Sequence, residues 1–389
     1  MKIALADMPW PFLSETRVVA QNGTGNWHDF AAVAPDVAIV SGAPQAPLSQ
    51  VLSHLTKIGS SGRRKLEGAL DKRSNGTAAP AFVKPIDPLA KIFLTEARVA
   101  FSKSNDQEAA LKWVTGFSLF ESATTNPGAT VKLPDPSAPY DIEATLVAVL
   151  GQQANRVNGS AASRSIVGYT LMAQITNRTM FDREWKTSNN LFAKNGYELS
   201  PIGPAIWVAG ANELLPATEI TLTINGQQRQ RFTVADFAHS IANATKAWSR
   251  CGLETGDMVA LGAAICRSQN GNEVDSPITI KPGDKIGSRL RPDRHPRRHN
   301  RLTREKLRCV LLLSNPPPAS NVSGSSWPMA VSPIAKALSP PSSARRCSRN
   351  VRPSSPAPWP RQTRRTSSAT ATSPSTRPGR SSLLPKKAN

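Results

Sequence analysis

Spacing and context, rather than residue type, narrow which side chains of this chain could do chemistry. Four cysteines (Cys251, Cys266, Cys309, Cys347) form no CxxC pair, which excludes a thiolate zinc site and a disulfide framework. The carboxylate Glu143 opens the apolar run Glu143-Ala-Thr-Leu-Val-Ala-Val-Leu150-Gly151. At strand periodicity it shares a face with Thr145, Val147 and Val149. A carboxylate there either begins a strand in solvent or offers hard oxygens to a cation. Lys194, between Ala193 and Asn195, is by itself a solvated lysine, and Arg178 a surface ion-pair partner. Lys84, next to Pro85, reads as structural. His239 falls on a helix surface, and His28, beside Trp27, reads as a packing residue.

The elements that must position these residues are mostly short strands. Residues 17–21, a polar turn at Asn22-Gly-Thr-Gly, and Trp27-His-Asp-Phe form a hairpin ending in a buried aromatic. Residues 48–55 have helical spacing, and 60–79 is a charged linker containing glycine and serine. Strands are expected at 81–85, 129–133, 143–151, 165–173 and 205–208, with a polar loop over 185–196. Asn225-Gly226 between alternating residues 220–224 and 227–234 supplies the positive φ angles of a type I′ hairpin. A helix follows: Thr233 and Asp236 resemble a capping pair, Phe237, Ile241, Ala244 and Trp248 repeat at helical spacing, and Gly252 ends it. Residues 257–262 and 278–286 add two strands. The fold class is α+β, mainly β.

Charge divides the chain. Residues 287–389 hold 21 basic and two acidic residues, 17 of the basic ones arginine, together with 16 of the 33 prolines. The other 286 residues carry 27 basic and 25 acidic groups. Such a tail cannot bury enough apolar surface to offset chain entropy, so it is expected to be disordered. Three readings stand for it: a basic arm for nucleic acid, an extension without function, and an out-of-frame translation beginning near residue 286. The composition favours the last, and no interleaved aromatic platform supports nucleic-acid binding. The apolar run at 310–313 is too short to span a bilayer. Asp7 and Pro9 break any signal-peptide core, so a soluble, cytoplasmic protein is expected.

Seven segments in order resemble the C-terminal domain of the fumarylacetoacetate hydrolase family. They are Phe82-Val-Lys84-Pro85, the 143–151 strand, Gly168-Tyr-Thr170 with Arg178, Lys194 before Pro201-Ile-Gly-Pro204, Asn225-Gly226, Leu253-Glu-Thr-Gly256-Asp257, and Lys281-Pro-Gly283-Asp284. The resemblance implies a flattened mixed β-roll over 80–286, after a small N-terminal domain at 1–79 and before the 287–389 tail. It also implies a homodimer that cleaves or dehydrates small 2-oxo or diketo acids with a divalent cation, Mg²⁺ or Ca²⁺. The family's Glu-x-Glu metal pair falls on Glu143 and Thr145 in one register and on Asp141 and Glu143 in the other. The third metal position, usually aspartate, is Gln174. Lys194 and Arg178 take the catalytic and substrate-binding places. The His–Glu pair that activates water in family hydrolases has no counterpart in 60–80, and Gly262-Ala263 replaces a usual Gly-Thr. Two functions follow from this pattern: a weakly metal-dependent hydrolase or lyase, and a family member that keeps the fold without the chemistry.

Overall fold

Two long neighbouring strands, apolar on both faces, carry the fold, and the chain wraps the rest around them. The computed structural model describes residues 1–9, 14–40, 48–78, 80–95, 114, 116–187, 191–210, 213–214, 216–237, 239–262, 278–291 and 307–314. In chain order its strands begin with β1 (Lys2–Pro9), β2 (Ser14–Gln21), β3 (Trp27–Asp29), β4 (Ala81–Val83), β5 (Ile92–Thr95) and β6 (Gly116–Leu119). The middle adds β7 (Thr124–Thr125), β8 (Thr130–Lys132), β9 (Tyr140–Leu150), β10 (Ile166–Asn177), β11 (Ser200–Pro201) and β12 (Ile206–Val208). Last come β13 (Glu219–Ile224), β14 (Gln227–Thr233), β15 (Met258–Leu261), β16 (Thr279–Ile280), β17 (Lys285–Arg291) and β18 (Leu307–Ser314).

An eleven-stranded mixed sheet runs β3-β2-β1-β12-β10-β9-β15-β5-β6, with β4 added on β1 and β16 on β9. A five-stranded sheet runs β14-β13-β17-β18-β8, and β11 pairs with β7 in parallel. The β9–β10 pair is central because both its faces are covered. Tyr140, Ile142, Ala144, Leu146 and Ala148 enter one core, while Val147 and Val149 enter the other. Continuous apolar runs of this kind are what a strand buried on both faces requires. The helix Leu48–Lys57 covers the second face with Leu48, Val51, Leu52 and Leu55. Gly168 is obligatory where β10 meets β12, since a Cβ there would stand 2.6 Å from the Trp207 carbonyl oxygen.

Several expectations are met. The hairpin turns on Asn225 (φ 53°) and Gly226 (φ 80°), between β13 and β14. The Thr233–Asp236 capping box forms, but on a single 3₁₀ turn. The helix proper starts later, at Ile241–Trp248, capped by the Ser240 side chain, and Gly252 (φ 67°) closes the 3₁₀ turn that follows. His28 is buried and bonds Asn22 through Nε2 at 3.1 Å.

Others are corrected. The expected linker at 60–79 is mostly a helix, Gly59–Asp71, anchored by buried Leu70 and partly buried Leu66. The expected loop after 185 is preceded by a helix, Arg178–Lys186. Asn177 caps it by accepting from the Met180 N–H at 3.0 Å, a signal that outweighs its polar composition. His239 lies before the helix rather than on its surface, and it is buried. The N-terminal segment is no separate sheet, because β1 pairs with β12 at Lys2↔Trp207.

The boundary expected at 286 falls inside β17, which stays in register with β13 from Ile224↔Ile286 to Glu219↔Arg291. β18 lies within the segment expected to be disordered. It pairs antiparallel with β17 and parallel with β8, and buries Cys309 and Leu313. An eight-residue strand needs only a few apolar contacts and two neighbours, and the charge of a 103-residue tail does not bear on it locally. The expected clusters at 294–298 and 316–318, with Ala263, Cys266 and Cys347, lie outside the described residues. Among the described residues no helix is long and apolar enough to cross a membrane.

Two measurements check this architecture. Burial pushes the Cys309 thiol up to about 12, whereas Cys251 is exposed. At pH 8, iodoacetamide with peptide mapping should therefore label Cys251 in the native protein and Cys309 only after denaturation. Equal native rates would place β18 outside the sheet. Burial also lowers the imidazoles of His54 and His239 below their ordinary value. The unfolded chain then takes up protons first as pH falls below about 6.5. Melting temperature should fall between pH 7.5 and 5.5, and the His54→Gln/His239→Gln variant should show a shallower fall.

Candidate active site

The apolar character of β9 fails at its N-terminal end, where Asp141, Glu143 and Thr145 occupy the face that Val147 and Val149 continue. β10 answers them residue for residue: Gln174 pairs with Glu143, Thr176 with Asp141 and Met172 with Thr145. Because strand side chains alternate, all these groups share one face. Asp141, Thr145, Gln174 and Thr176 are buried. Both metal-pair registers open in the sequence thus converge on one place centred on Glu143.

Two cations enter this face. Lys194 is 7% exposed, and its Nζ lies 3.6 Å from Glu143 Oε2 and 5.9 Å from the centre of the Phe117 ring. The Arg178 Nη1 lies 3.4 Å from Asp141 Oδ2, and its guanidinium sits 4.5 Å over the Phe181 ring. The bland reading of Lys194 as a solvated lysine does not hold, and Arg178 forms an ion pair; the two carboxylate–cation pairs stand side by side. Lys84 instead pairs with Glu121 and donates to the carbonyls of Glu121 (3.3 Å) and Thr124 (3.1 Å). It is structural, as its sequence context indicates.

The Pro201-Ile-Gly-Pro204 segment locks against β10. Met172 bridges Ile202, and the Gly203 N–H donates to the Leu171 carbonyl at 2.9 Å. Just ahead of it, Ser200 Oγ accepts from Gln174 Nε2 at 3.1 Å. The same Nε2 donates to the carbonyls of Ile175 (3.1 Å) and Lys194 (3.4 Å). Carbonyls only accept, so these contacts fix which end of the amide is nitrogen. Gln174 Oε1 is left buried with no hydrogen-bond partner, as are Thr145 Oγ1 and Thr176 Oγ1.

This donor set bears on a cation. Hard divalent cations take carboxylate, amide and hydroxyl oxygens, and an orphaned buried amide oxygen opposite Glu143 is a ready ligand. Asp141, Glu143 and Gln174 therefore fit Mg²⁺ or Ca²⁺ in kind. They fit weakly in charge, since only two are anionic and each faces a cation. Among the described residues no three His, Cys, Asp or Glu side chains form a metal cluster.

One residue of a quoted motif belongs to the core, and one residue that supports the site was not legible in the sequence. Tyr169, inside the Gly168-Tyr-Thr170 segment, packs toward Trp207 with ring centres 6.1 Å apart. Its ring lies in the hydrophobic core, and burial, with Glu213 second, pushes its phenol above the ordinary value. Glu184 is buried and accepts from the backbone N–H groups of Leu191 (3.1 Å), Phe192 and Ala193 (3.0 Å), immediately before Lys194. Only the Asn177 cap, which starts its helix, could have signalled it.

Comparison with known proteins bears on the family and the fold. Residues 93–295, a little over half the chain, match the family model "Fumarylacetoacetate (FAA) hydrolase C-terminal". A 4-hydroxyphenylacetate degradation bifunctional isomerase/decarboxylase of Salmonella dublin is 25% identical over 268 residues, 66% of this chain and 58% of the relative. Oxaloacetate tautomerase YisK of Bacillus subtilis is 26% identical over 153 residues, 39% of this chain and 49% of the relative. The chain thus spans only about half the length of these relatives. A solved structure of a probable 2-hydroxyhepta-2,4-diene-1,7-dioate isomerase from Mycobacterium abscessus shares the fold with a TM-score of 0.58 at 18% identity. It covers 82% of this chain and 100% of its own. With its fold, its ordered motifs and the family model in agreement, this chain belongs to the fumarylacetoacetate hydrolase family.

Proposed function

We propose that the protein forms an enolate from a small 2-oxo dicarboxylic acid, by tautomerisation or decarboxylation. The observation that supports this most is the pairing of Lys194 with Glu143 and Arg178 with Asp141 on one strand face, beside the unpartnered Gln174 oxygen. Either reaction places negative charge on the C2 oxygen. In tautomerisation a proton leaves C3 to a solvent base and another is taken up by the C2 oxygen. In decarboxylation the C3–carboxylate bond breaks, CO₂ departs, its electron pair moves to the enolate, and C3 then takes a proton from solvent. The Lys194 ammonium, held in a largely buried place, offers a fixed charge and hydrogen-bond donor to that oxygen. Arg178 offers a planar fork suited to a substrate carboxylate.

Enzymes of this family commonly use a divalent metal. Here Glu143, Asp141 and Gln174 Oε1 would hold it, and its chemistry is Lewis-acid polarisation of the 2-oxo group. Hydrolysis of a C–C bond needs an activated water as well. The segment where the resemblance implies a His–Glu pair is the helix Gly59–Asp71, which contains no histidine. His28 is bonded to Asn22. Enolate chemistry without water is therefore preferred to the hydrolase reading, and the isomerase/decarboxylase and tautomerase relatives support it. The glutamine at position 174 and the cation on each carboxylate favour one second reading, a family member that has lost the chemistry.

Oxaloacetate is a suitable probe, since its enol–keto exchange and its loss of CO₂ can both be followed. Lys194→Met should lower turnover on the order of 10²-fold, the scale of a lost oxyanion stabiliser. Calorimetry with Ca²⁺ should show no loss of cation affinity, because a competing cation leaves Glu143. Wild-type protein that neither turns over oxaloacetate nor binds Ca²⁺ with oxalate would establish the second reading. Gln174→Asp removes an NH₂ whose two hydrogens are shared among three acceptors and sets a carboxylate against carbonyl oxygens. It should cost about 1–3 kcal/mol of stability without metal, and added Ca²⁺ should restore much of it. A melting temperature that does not respond to Ca²⁺ in this variant would show the cation site to be misplaced.

A further inference from the structure

We infer that Glu184 is a positioning residue for Lys194, acting through the backbone of Leu191–Ala193; this rests on the site reading above. The helix Arg178–Lys186 leaves directly from the end of β10, and its second turn sets Glu184 beside the segment that carries Lys194. There Glu184 Oε1 accepts from the N–H groups of Leu191 and Phe192, and Oε2 accepts from that of Ala193. Three successive N–H groups converging on one carboxylate make an anion-binding concavity occupied from within the chain.

The carboxylate is buried and forms no ion pair among the described residues. Backbone dipoles, rather than a cation, thus offset the cost of burying it. The same short stretch is held from two other sides. The Ala193 carbonyl accepts from the Asn177 N–H at 2.9 Å, and the Lys194 carbonyl from Gln174 Nε2 at 3.4 Å. Asn195 Nδ2 donates to the carbonyls of Leu191 (2.8 Å) and Ser118 (3.1 Å). Among these clamps, Glu184 is the one that satisfies the N–H groups preceding the lysine. Without it those groups are unpaired, and the Lys194 side chain loses the fixed base that keeps Nζ against Glu143.

The test reads the lysine directly. The full-length protein is labelled with an amine-reactive acetylating reagent at pH 8, and each lysine is quantified by peptide mapping. In the wild type Lys194 should label slowly, and Lys91, whose side chain is 41% exposed, quickly. In Glu184→Gln, whose amide nitrogen cannot accept, Lys194 labelling should rise about tenfold while Lys84 and Lys91 stay unchanged. With oxaloacetate, kcat should fall about tenfold or more at nearly constant KM, as a misplaced catalytic group predicts. That loss should vanish in a Lys194→Met background, because the two residues act as one unit. Glu184→Asp, which keeps the charge with a shorter reach, should lie between wild type and Glu184→Gln.

Unchanged Lys194 labelling overturns the inference, and so does a uniform rise over all lysines. A kcat loss that persists undiminished in the Lys194→Met background overturns it too. If neither Glu184 variant folds, the residue is structural and the inference falls. If wild-type protein is inactive on oxaloacetate, the enolate reading fails by itself, and the labelling result still decides the role of Glu184.

Discussion

Glu143 faces Gln174 because β9 and β10 pair with Tyr140 opposite Asn177 and keep that register for the length of the site. Strand side chains have a period of two, so a slip of one residue would turn every polar group of this face into the apolar core. The register is held by what lies behind it. Ile142, Ala144, Leu146 and Ala148 fill one core and Val147 and Val149 the other, and neither set tolerates exchange with carboxylates. The site is therefore the polar end of a pair of strands whose apolar remainder fixes its alignment.

Two carboxylates and two cations can share a place this shielded, with Asp141 and Lys194 buried and Glu143 and Arg178 partly so, because their charges cancel. Each pair is a weak source of stability, since desolvation consumes most of the attraction, but removing one partner is expensive. This constraint explains why Lys194 and Arg178 come from different elements yet arrive at adjacent positions. Arg178 follows β10 directly, and its partner Asp141 stands opposite Thr176 on β9. Lys194 comes from beyond the following helix and must be carried in by a segment tied at several points. A charge-balanced site also changes what a ligand must bring. A cation on the carboxylates releases the lysine and arginine, and an anionic ligand on those two releases the carboxylates, so each favours the other.

The legible part of the fold was the part with strong local signals. The Asn225-Gly226 turn needs positive φ at both residues, and the β9 and β10 runs are too apolar to lie anywhere but inside. The Gly59–Asp71 helix was not legible, because glycines and charges dominate it and a single buried leucine anchors it. Arg178–Lys186 was hidden for a related reason: its buried Glu184 contributes a carboxylate, not an apolar period. β18 was obscured by averaging, since eight residues cannot shift the composition of the tail around them. At the site, Glu143, Arg178 and Lys194 were named through family motifs alone. Nothing in their own neighbourhoods distinguishes them from solvated residues, because the burial that does so comes from strands and loops distant in sequence.

Gln174 links the strand face that carries the two carboxylates to the lysine segment. An aspartate there would give the cation a third charge, but a carboxylate cannot donate. It would face the carbonyls of Ile175 and Lys194 with no hydrogen to offer. The glutamine keeps one oxygen toward the site and spends its nitrogen on the Lys194 carbonyl and Ser200. It thereby exchanges ligand charge for a direct hold on the residue that carries the positive charge. Glu184 takes the N–H groups of Leu191, Phe192 and Ala193 and Gln174 the Lys194 carbonyl, so the backbone is held both before the lysine and at it. A site assembled this way depends less on a tightly bound metal to order its parts, because hydrogen bonds of the chain itself already order them.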